Sequence, residues 1–418
     1  MKICIVGAGS SYTPELIEGL AKMQTELPVT ELALYDIDEY RLDTVYGFCL
    51  RYAKNLGLDV KITKYTDREK AFDGASFINT QIRVGGNAAR ANDEKIPLSM
   101  GLLGQETTGP GAMMKALRTI PVMIDIARDV EKICPDAWII NYTNPTGMVT
   151  EAVMDETNAK IAGLCACGMG PQKIVGDALG VEPNLVRYDM AGLNHMSSAY
   201  NFYVAGKRLT DEELDKVYDQ FGGSDGREYM KPLGVLANPY MDHYYYPAKK
   251  LKYHMDREVC RGEEIIELEK ELFREFLDEN VIDKPKSLEK RGGGGYSDLA
   301  LSVMSAIYNN VDSWIVVNVR NNNTLDFLPK EAVIEASCIV NASGIRPISV
   351  EQPPKAVQAL IFEVKMYEQL AVEAALTGNE DKAIEALLAH PLVRDYEVIP
   401  ELWSKLLEAN RPYLPQFM

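Results

Sequence analysis

Lys2 to Val6 alternates and is rich in β-formers. The run breaks at Gly7-Ala8-Gly9-Ser10, just before a helix-forming stretch opens at Thr13-Pro14. A strand that passes through two glycines straight into a helix constrains a chain more than its composition does. Glycine lets the backbone approach a diphosphate without a Cβ clash, and the following helix N-terminus faces the negative charge. Thr13 is the expected N-cap and Pro14 the first helical residue. Glu31 to Tyr35 reads as a second strand ending at Asp36, where a carboxylate can take ribose hydroxyls and favour NAD over NADP. The third glycine of the fingerprint is replaced by Tyr12. From these residues a dinucleotide site at Gly7, Gly9, Ser10 and Asp36 competes with a plain glycine turn and an ordinary strand-end Asp.

Further strands are predicted at 75–81, 137–142 and 160–164, with helical apolar spacing at 13–22 and 119–133. Strand, helix, strand at these lengths predicts an α/β fold with a Rossmann-like parallel sheet. After about residue 190 the pattern becomes mixed. Residues 201–205 read as antiparallel strand, and 211–220, 263–279 and 356–376 as helices. The expected division is a nucleotide-binding domain over 1–170 and a mixed α+β domain over 171–418 for substrate, metal and oligomerisation. A four-glycine run, 292–295, follows Arg291.

Length and charge bound the partners. A chain of 418 residues has room for two or three domains. Its 44 Lys+Arg against 61 Asp+Glu leave a net charge of −17, a poor match to nucleic acid or an anionic membrane. An anionic ligand must therefore be held by local arginines. Seven dispersed cysteines, an odd number, favour a reducing cytoplasm over a disulfide framework. No apolar run approaches the ~18 residues of a membrane span, and no signal peptide is read at the start.

Several residues could carry chemistry. Cys165 closes a predicted strand on the edge where open α/β sheets bind ligands. His195 lies in Gly192-Leu193-Asn194-His195. A thiolate and an imidazole could share a divalent metal, or be a buried filler and a satisfied core residue. Tyr240 stands in Asn238-Pro239-Tyr240, ahead of Tyr244-Tyr245-Tyr246. As a base it would need a depressed pKa from a nearby metal or Arg; otherwise it packs and hydrogen-bonds. Arg83, Arg90, Arg261 and Arg291 could each hold a phosphate bidentately or be solvated charges.

Assembled, these residues resemble glycoside hydrolase family 4, most closely its 6-phospho-β-glucosidase branch. The matching stretches are Gly7-Ala-Gly-Ser-Ser-Tyr-Thr-Pro-Glu15, Tyr35-Asp-Ile-Asp38, Gly104-Gln-Glu-Thr-Thr-Gly109, Asn141-Tyr-Thr-Asn-Pro-Thr-Gly147, Gly192-Leu-Asn-His195, Asn238-Pro-Tyr240, Arg291-Gly-Gly293 and Asn318-Val-Arg-Asn-Asn322. The resemblance implies a lactate/malate dehydrogenase-like nucleotide domain, NAD, a divalent metal (usually Mn2+), a phosphorylated glycoside as substrate and a homodimer or homotetramer. It implies that Gly7, Gly9, Ser10, Asp36 and Asn144 bind the cofactor and that Cys165 and His195 hold the metal. Tyr240 becomes the catalytic base. Arg90, Asn144 and Arg261 line the substrate pocket, with Arg261 at the sugar 6-phosphate. The implied chemistry oxidises C3, removes the C2 proton, eliminates the aglycone, adds water and returns the hydride, without a two-carboxylate mechanism.

Two departures from the family pattern stand out. In the β branch the residue after the metal-binding Cys is commonly Asn, and in the α branch Asp; here the loop reads Cys165-Ala166-Cys167-Gly168-Met169. Ala166 cannot donate a proton, which puts the anomeric preference in doubt and leads us to expect relaxed α/β selectivity. Met241-Asp242-His243 follows Tyr240, where β-branch relatives often carry Leu-Arg, so an acidic residue replaces a cation and weakens the case for the phosphate. The competing readings are a family 4 enzyme acting on non-phosphorylated or uronate sugars, an NAD-dependent hydroxy-acid dehydrogenase, and a non-catalytic sensor that kept the fold.

Overall fold

The computed structural model describes residues 1–221, 227–292 and 295–418. Thirteen strands lie among them: β1 (Lys2–Val6), β2 (Glu31–Tyr35), β3 (Lys61–Tyr65), β4 (Ala75–Thr80), β5 (Trp138–Asn141), β6 (Lys160–Gly163), β7 (Val186–Leu193), β8 (Met196–Val204), β9 (Lys207–Arg208), β10 (Leu236–Ala237), β11 (Ser313–Arg320), β12 (Val333–Asn341) and β13 (Gly344–Pro347). They form one sheet in the order β10-β8-β7-β12-β11-β6-β5-β4-β1-β2-β3, with β9 on β8 and β13 on β12. The stretch β3-β2-β1-β4-β5-β6 is parallel throughout. That is the Rossmann order. β1 and β2 are buried after their first residue because packed elements cover both faces. One apolar core on one side includes Leu117, Ile120 and Val149, and a second includes Ile5, Phe48 and Met304.

Beyond β6 the sheet turns antiparallel without a break. β11 joins β6 through Asn318 opposite Gly163. It then pairs with β12 from Ser313 to Arg320, β12 with β7, and β7 with β8. The later strands thus extend the Rossmann sheet instead of building a separate one.

Local differences from the sequence reading have physical causes. Tyr12, not Thr13, stands at the N-cap of the first helix, Thr13–Met23. The Thr13 hydroxyl donates instead to the Ala8 carbonyl at 2.8 Å, tying the helix start to the glycine turn. The helix expected at 119–133 begins at Gly109 and runs through Pro121 to Ile133. Its first turns are buried almost all round, so they show no amphipathic period to read. The later helices, Asp211–Tyr218, Arg261–Leu277 and Lys355–Thr377, fall close to expectation. Of the four-glycine run and the Arg291-Gly-Gly293 match, Gly293 and Gly294 lie outside the described residues.

The junction between β6 and β11 is tight. A Cβ at Gly163 would overlap the Thr150 hydroxyl and lie 2.9 Å from Asn318 Cβ. Gly163→Ala is therefore expected to cost about 1–3 kcal/mol by overpacking. The check is a lower denaturant midpoint at unchanged slope.

Candidate active site

A cavity of about 1260 Å³ opens along the C-terminal ends of the parallel strands. That exceeds the ~300–1,000 Å³ of a single-ligand pocket. One end is the turn after β1. Gly7 has φ of +87°, and a Cβ there would lie 3.0 Å from the Gln81 carbonyl. The Gly9 amide donates to Asp36 Oδ2 at 2.7 Å, and a Cβ on Gly9 would meet Arg41 and Asp36 within 3 Å. Gly7, Gly9, Ser10 and Asp36 line this end together. Only a bare backbone fits such a turn, the arrangement a diphosphate requires.

The closure of this end leaves no motif in the sequence. Glu269, on the helix Arg261–Leu277, accepts from Ser11 at 3.3 Å, from Arg41 at 3.4 Å and from Asn87 at 3.0 Å. Arg41 also donates to the Gly9 carbonyl at 3.2 Å. The glycine turn is therefore held by a helix from the other half of the chain.

A second buried carboxylate organises the middle of the cavity. Glu106 receives Arg83 through two bonds, at 2.9 and 3.2 Å, Arg90 at 2.6 Å and Lys115 at 2.8 Å. Burial alone would push the Glu106 carboxyl up, but Arg83, Lys115 and Arg90 together hold it well below the usual range. Burial, with Arg83 beside it, brings the Lys115 ammonium down to about 7. Three cations share one carboxylate, so this wall is short of negative charge. Glu106 and Lys115 were not singled out from the sequence, although a lone Lys in Ala112-Met-Met-Lys-Ala-Leu117 is the signature of a buried ammonium.

The third part of the cavity is built around Tyr240, in a short turn of helix that Asn238 caps by accepting from the Tyr240 amide. The His195 ring packs on Tyr240 with centroids 4.3 Å apart. Burial raises the Tyr240 phenol, with Cys167, Glu106 and Cys165 adding to it and Arg90 opposing. Cys165, the residue before the 3-10 turn Ala166–Met169, is buried, and so is His195. The structure thus gathers Cys165, His195 and Tyr240, which are far apart in sequence. His195 has a left-handed φ of 61° at the tip of the β7–β8 hairpin. A bulky residue in that region costs of order 1–3 kcal/mol and is held by its surroundings. Burial lowers the imidazole to about 4, so the ring is neutral with a free lone pair near neutral pH. A neutral imidazole and a thiol suit a transition-metal cation. Among the described residues no three His, Cys, Asp or Glu side chains form a ready cage. A cation at Cys165 and His195 would complete its shell from elsewhere.

Glu335 on β12 fixes this arrangement. It accepts from Asn194 at 3.2 Å, Ser197 at 2.5 Å and Asn318 at 3.2 Å, and Asn318 also donates to the Gly163 carbonyl. The hairpin that carries His195 is thereby locked to the end of β6, two residues before Cys165.

The remaining candidates fall as follows. Asn144 lines the cavity after β5, with Nδ2 donating to the Tyr142 carbonyl at 3.4 Å. Arg90 lines it while paired with Glu94 and Glu106. Arg261, about 40% exposed, is held by Glu264 and by the Lys290 and Arg291 carbonyls. Arg291 lies over the Tyr12 ring at 5.1 Å, and its Nε is buried without a partner. The expectation that Asp242 opposes an anion is corrected by the structure. Its carboxylate is buried and engaged by Arg227 at 3.2 Å, Lys250 at 3.1 Å and the Tyr229 hydroxyl at 2.8 Å. It is neutralised outside the cavity.

Fold and cavity define a Rossmann-type enzyme with a second, cation-lined chamber beside its dinucleotide turn. The chain belongs to the family 4 glycosyl hydrolases: the family's model matches residues 2–181, and the model of its C-terminal domain matches residues 190–393. It is 39% identical to a probable 6-phospho-beta-glucosidase of Bacillus subtilis (strain 168) over 432 residues, covering 100% of this chain and 98% of the relative. The 6-phospho-beta glucosidase of Thermotoga maritima, solved with NAD and glucose-6-phosphate, superposes with a TM-score of 0.91 at 33% identity, covering 99% of each chain. A further structure of that enzyme, with manganese, NAD+ and glucose-6-phosphate, gives 0.89 at 32% identity and 99% coverage of each. Malate dehydrogenase of Plasmodium falciparum shares the fold alone, with a TM-score of 0.55 at 14% identity over 90% of this chain and 98% of the other. Among the described residues no helix is long and apolar enough to cross a membrane.

The wall around Glu106 generates a test. Glu106→Gln leaves three cations without their shared counter-charge, so stability should fall by roughly 3–5 kcal/mol. Inorganic phosphate should raise the melting temperature of this variant more than that of the wild type. Thermal unfolding with and without phosphate checks both.

Proposed function

We propose that this protein hydrolyses the O-glycosidic bond of 6-phospho-glucosides with bound NAD and a divalent cation such as Mn2+. The observation that carries the reading is Tyr240, packed on His195 and beside Cys165, in a cavity continuous with the Gly7–Ser10 turn. The relatives solved with NAD, manganese and glucose-6-phosphate support it. Gly7, Gly9, Ser10 and Asp36 hold the dinucleotide, and Asn144 orients its nicotinamide end and the sugar. Cys165 and His195 hold the cation. When bound, NAD accepts a hydride from sugar C3 and the cation polarises the C2 and C3 oxygens, which makes the C2 proton acidic.

The protein's own groups do the rest. Tyr240 takes the C2 proton through its phenolic oxygen, the aglycone leaves C1, water adds there, Tyr240 returns the proton to C2, and the hydride returns to C3, so that no net oxidation remains. Burial opposes ionisation of the phenol, and Arg90 alone does not reverse this. A cation on the neighbouring Cys165 and His195 supplies the missing positive charge. Arg261 and Arg90 hold the 6-phosphate, and Asp242, already paired, does not repel it. Ala166 offers no polar side-chain atom at the turn after Cys165, so the anomeric configuration at C1 is read loosely and both anomers are accepted.

Matched 4-nitrophenyl α- and β-glucosides, with and without the 6-phosphate, test the reading in the presence of NAD+ and Mn2+. Turnover of both phosphorylated anomers and of neither unphosphorylated one is expected. Strict β selectivity would remove the role given to Ala166, and equal turnover without phosphate would remove that given to Arg261. Tyr240→Phe should lower kcat by about 10²–10⁴-fold while NAD+ still binds. Cys165→Ala should abolish Mn2+ binding in equilibrium dialysis as well as turnover.

A further inference from the structure

Water addition at C1 releases a proton at the moment when Tyr240 already holds the one taken from C2. A second base is therefore needed on the C1 side, an argument that rests on the reaction proposed above. Ala166 has no basic atom. Glu106 has both oxygens engaged by Arg83, Arg90 and Lys115, and Lys115 is itself turned onto it. Asp242 is buried against Arg227 and Lys250.

The remaining candidate lies one turn after Tyr240. Three of the chain's four histidines form a row with it. His195 packs on Tyr240 at 4.3 Å, Tyr240 on His243 at 6.0 Å, and His243 on His254 at 5.9 Å between centroids. His243 and His254 both line the cavity. In the reaction proposed above His195 would meet the C3 and C2 oxygens through the cation and Tyr240 the C2 proton, so that C1, the atom after C2, would fall toward the next ring, His243. His243 Nδ1 lies 2.9 Å from the Tyr240 carbonyl, to which only an N–H can bond. This fixes the tautomer and leaves Nε2 with the lone pair. The groups facing the ring are the Tyr240 carbonyl, His254, Lys250 and Asp242.

We propose that His243 is the base that activates the water adding to C1. The water oxygen bonds to C1 as the C1=C2 electron pair shifts toward the C3 carbonyl, and the water proton passes to His243 Nε2. The enolate recovers at C2 the proton held by Tyr240. The aglycone oxyanion, already expelled from C1 in the elimination and still in the cavity, takes the imidazolium's proton and departs as the alcohol. Bonds and protons balance: C1–OR and water become C1–OH and ROH. Burial lowers the His243 imidazole to about 4, so the ring enters each cycle as free base near neutral pH.

The test uses the enzyme with NAD+ and Mn2+ and 4-nitrophenyl β-glucoside 6-phosphate, whose leaving group needs no proton. His243→Asn keeps a donor toward the Tyr240 carbonyl, and His243→Phe keeps the ring stacking. Both should release one equivalent of 4-nitrophenolate per site at close to the wild-type rate. Turnover should then fall by about 10²–10⁴-fold, with reduced nicotinamide accumulating in the near-ultraviolet. External imidazole should partly restore the slow phase. If the burst and the steady state fall together, or if neither changes, His243 is not this base. An inactive wild type would overturn the substrate reading and this inference with it.

Discussion

The site depends on one buried carboxylate. Glu335 has no solvent to share its charge, and burial pushes its carboxyl up while Ser197, Asn194 and Asn318 oppose that. A buried acid is tolerable only when its oxygens are met by donors, and these donors come from two different parts of the site. Asn194 and Ser197 belong to the hairpin that turns through His195. Asn318 sits on β11 and reaches across to the Gly163 carbonyl of β6. Removing the carboxylate would leave three donors without a partner and uncouple the hairpin from the strand that ends before Cys165. The hairpin that carries His195 is thus held against the strand that leads to Cys165 by a residue whose hydrogen bonds go to neither of them.

The other end of the cavity follows the same logic. Glu269 draws the helix Arg261–Leu277 onto the glycine turn through Ser11 and Arg41. The same helix begins at Arg261, and its second residue, Gly262, donates to Glu94 Oε2 at 2.8 Å. Glu94 in turn pairs with Arg90. A Cβ on Gly262 would lie 2.8 Å from the Ala91 amide, so the helix can approach this closely only with glycine there. One rigid element therefore spans the glycine turn and the arginines of the cavity. A helix is a better ruler than a loop for holding two ligands at a fixed separation.

Much of this could be read from the sequence, and the parts that could not share a cause. Buried parallel strands announce themselves as short apolar runs, so β1, β2 and the ends of β4 to β6 were legible to within a residue. The glycine turn and Asp36 were legible because backbone conformation limits which residues fit. The start of the helix at Gly109 was not, because a segment buried on all sides has no period. Nor was the joining of the two halves of the sheet, which rests on a single pairing, Asn318 with Gly163. In the site, residues recognisable by type and motif could be nominated from the sequence, and the structure brings these, Cys165, His195 and Tyr240, together. Residues that act by charge placement could not be nominated. Asp242 looked like an acid facing the substrate because it stands where β-branch relatives often carry a cation. Which way a side chain points in a four-residue helix depends on partners such as Arg227 and Tyr229, which the local sequence does not identify. Glu335 and Lys115 left a fainter trace as lone charges within apolar runs, and such a charge in a core must have a partner.

The electrostatics of the cavity run against those of the whole molecule. A chain of net charge −17 presents to its ligands a wall in which Arg83, Arg90 and Lys115 share Glu106, with Arg291 partly unpartnered beyond them. The acidic excess lies on the screened exterior, where charges act over little more than ~8–10 Å. The cations are turned inward, where desolvation strengthens every interaction with an anion. Burial has a second consequence for the chemistry. It keeps His195 and His243 neutral and Tyr240 protonated in the absence of ligands, so the resting site holds no strong base. The phenol gains basicity only when positive charge arrives beside it. In the reaction proposed above, that would confine proton removal from carbon to the fully assembled complex, when the sugar, the dinucleotide and the cation are all in place.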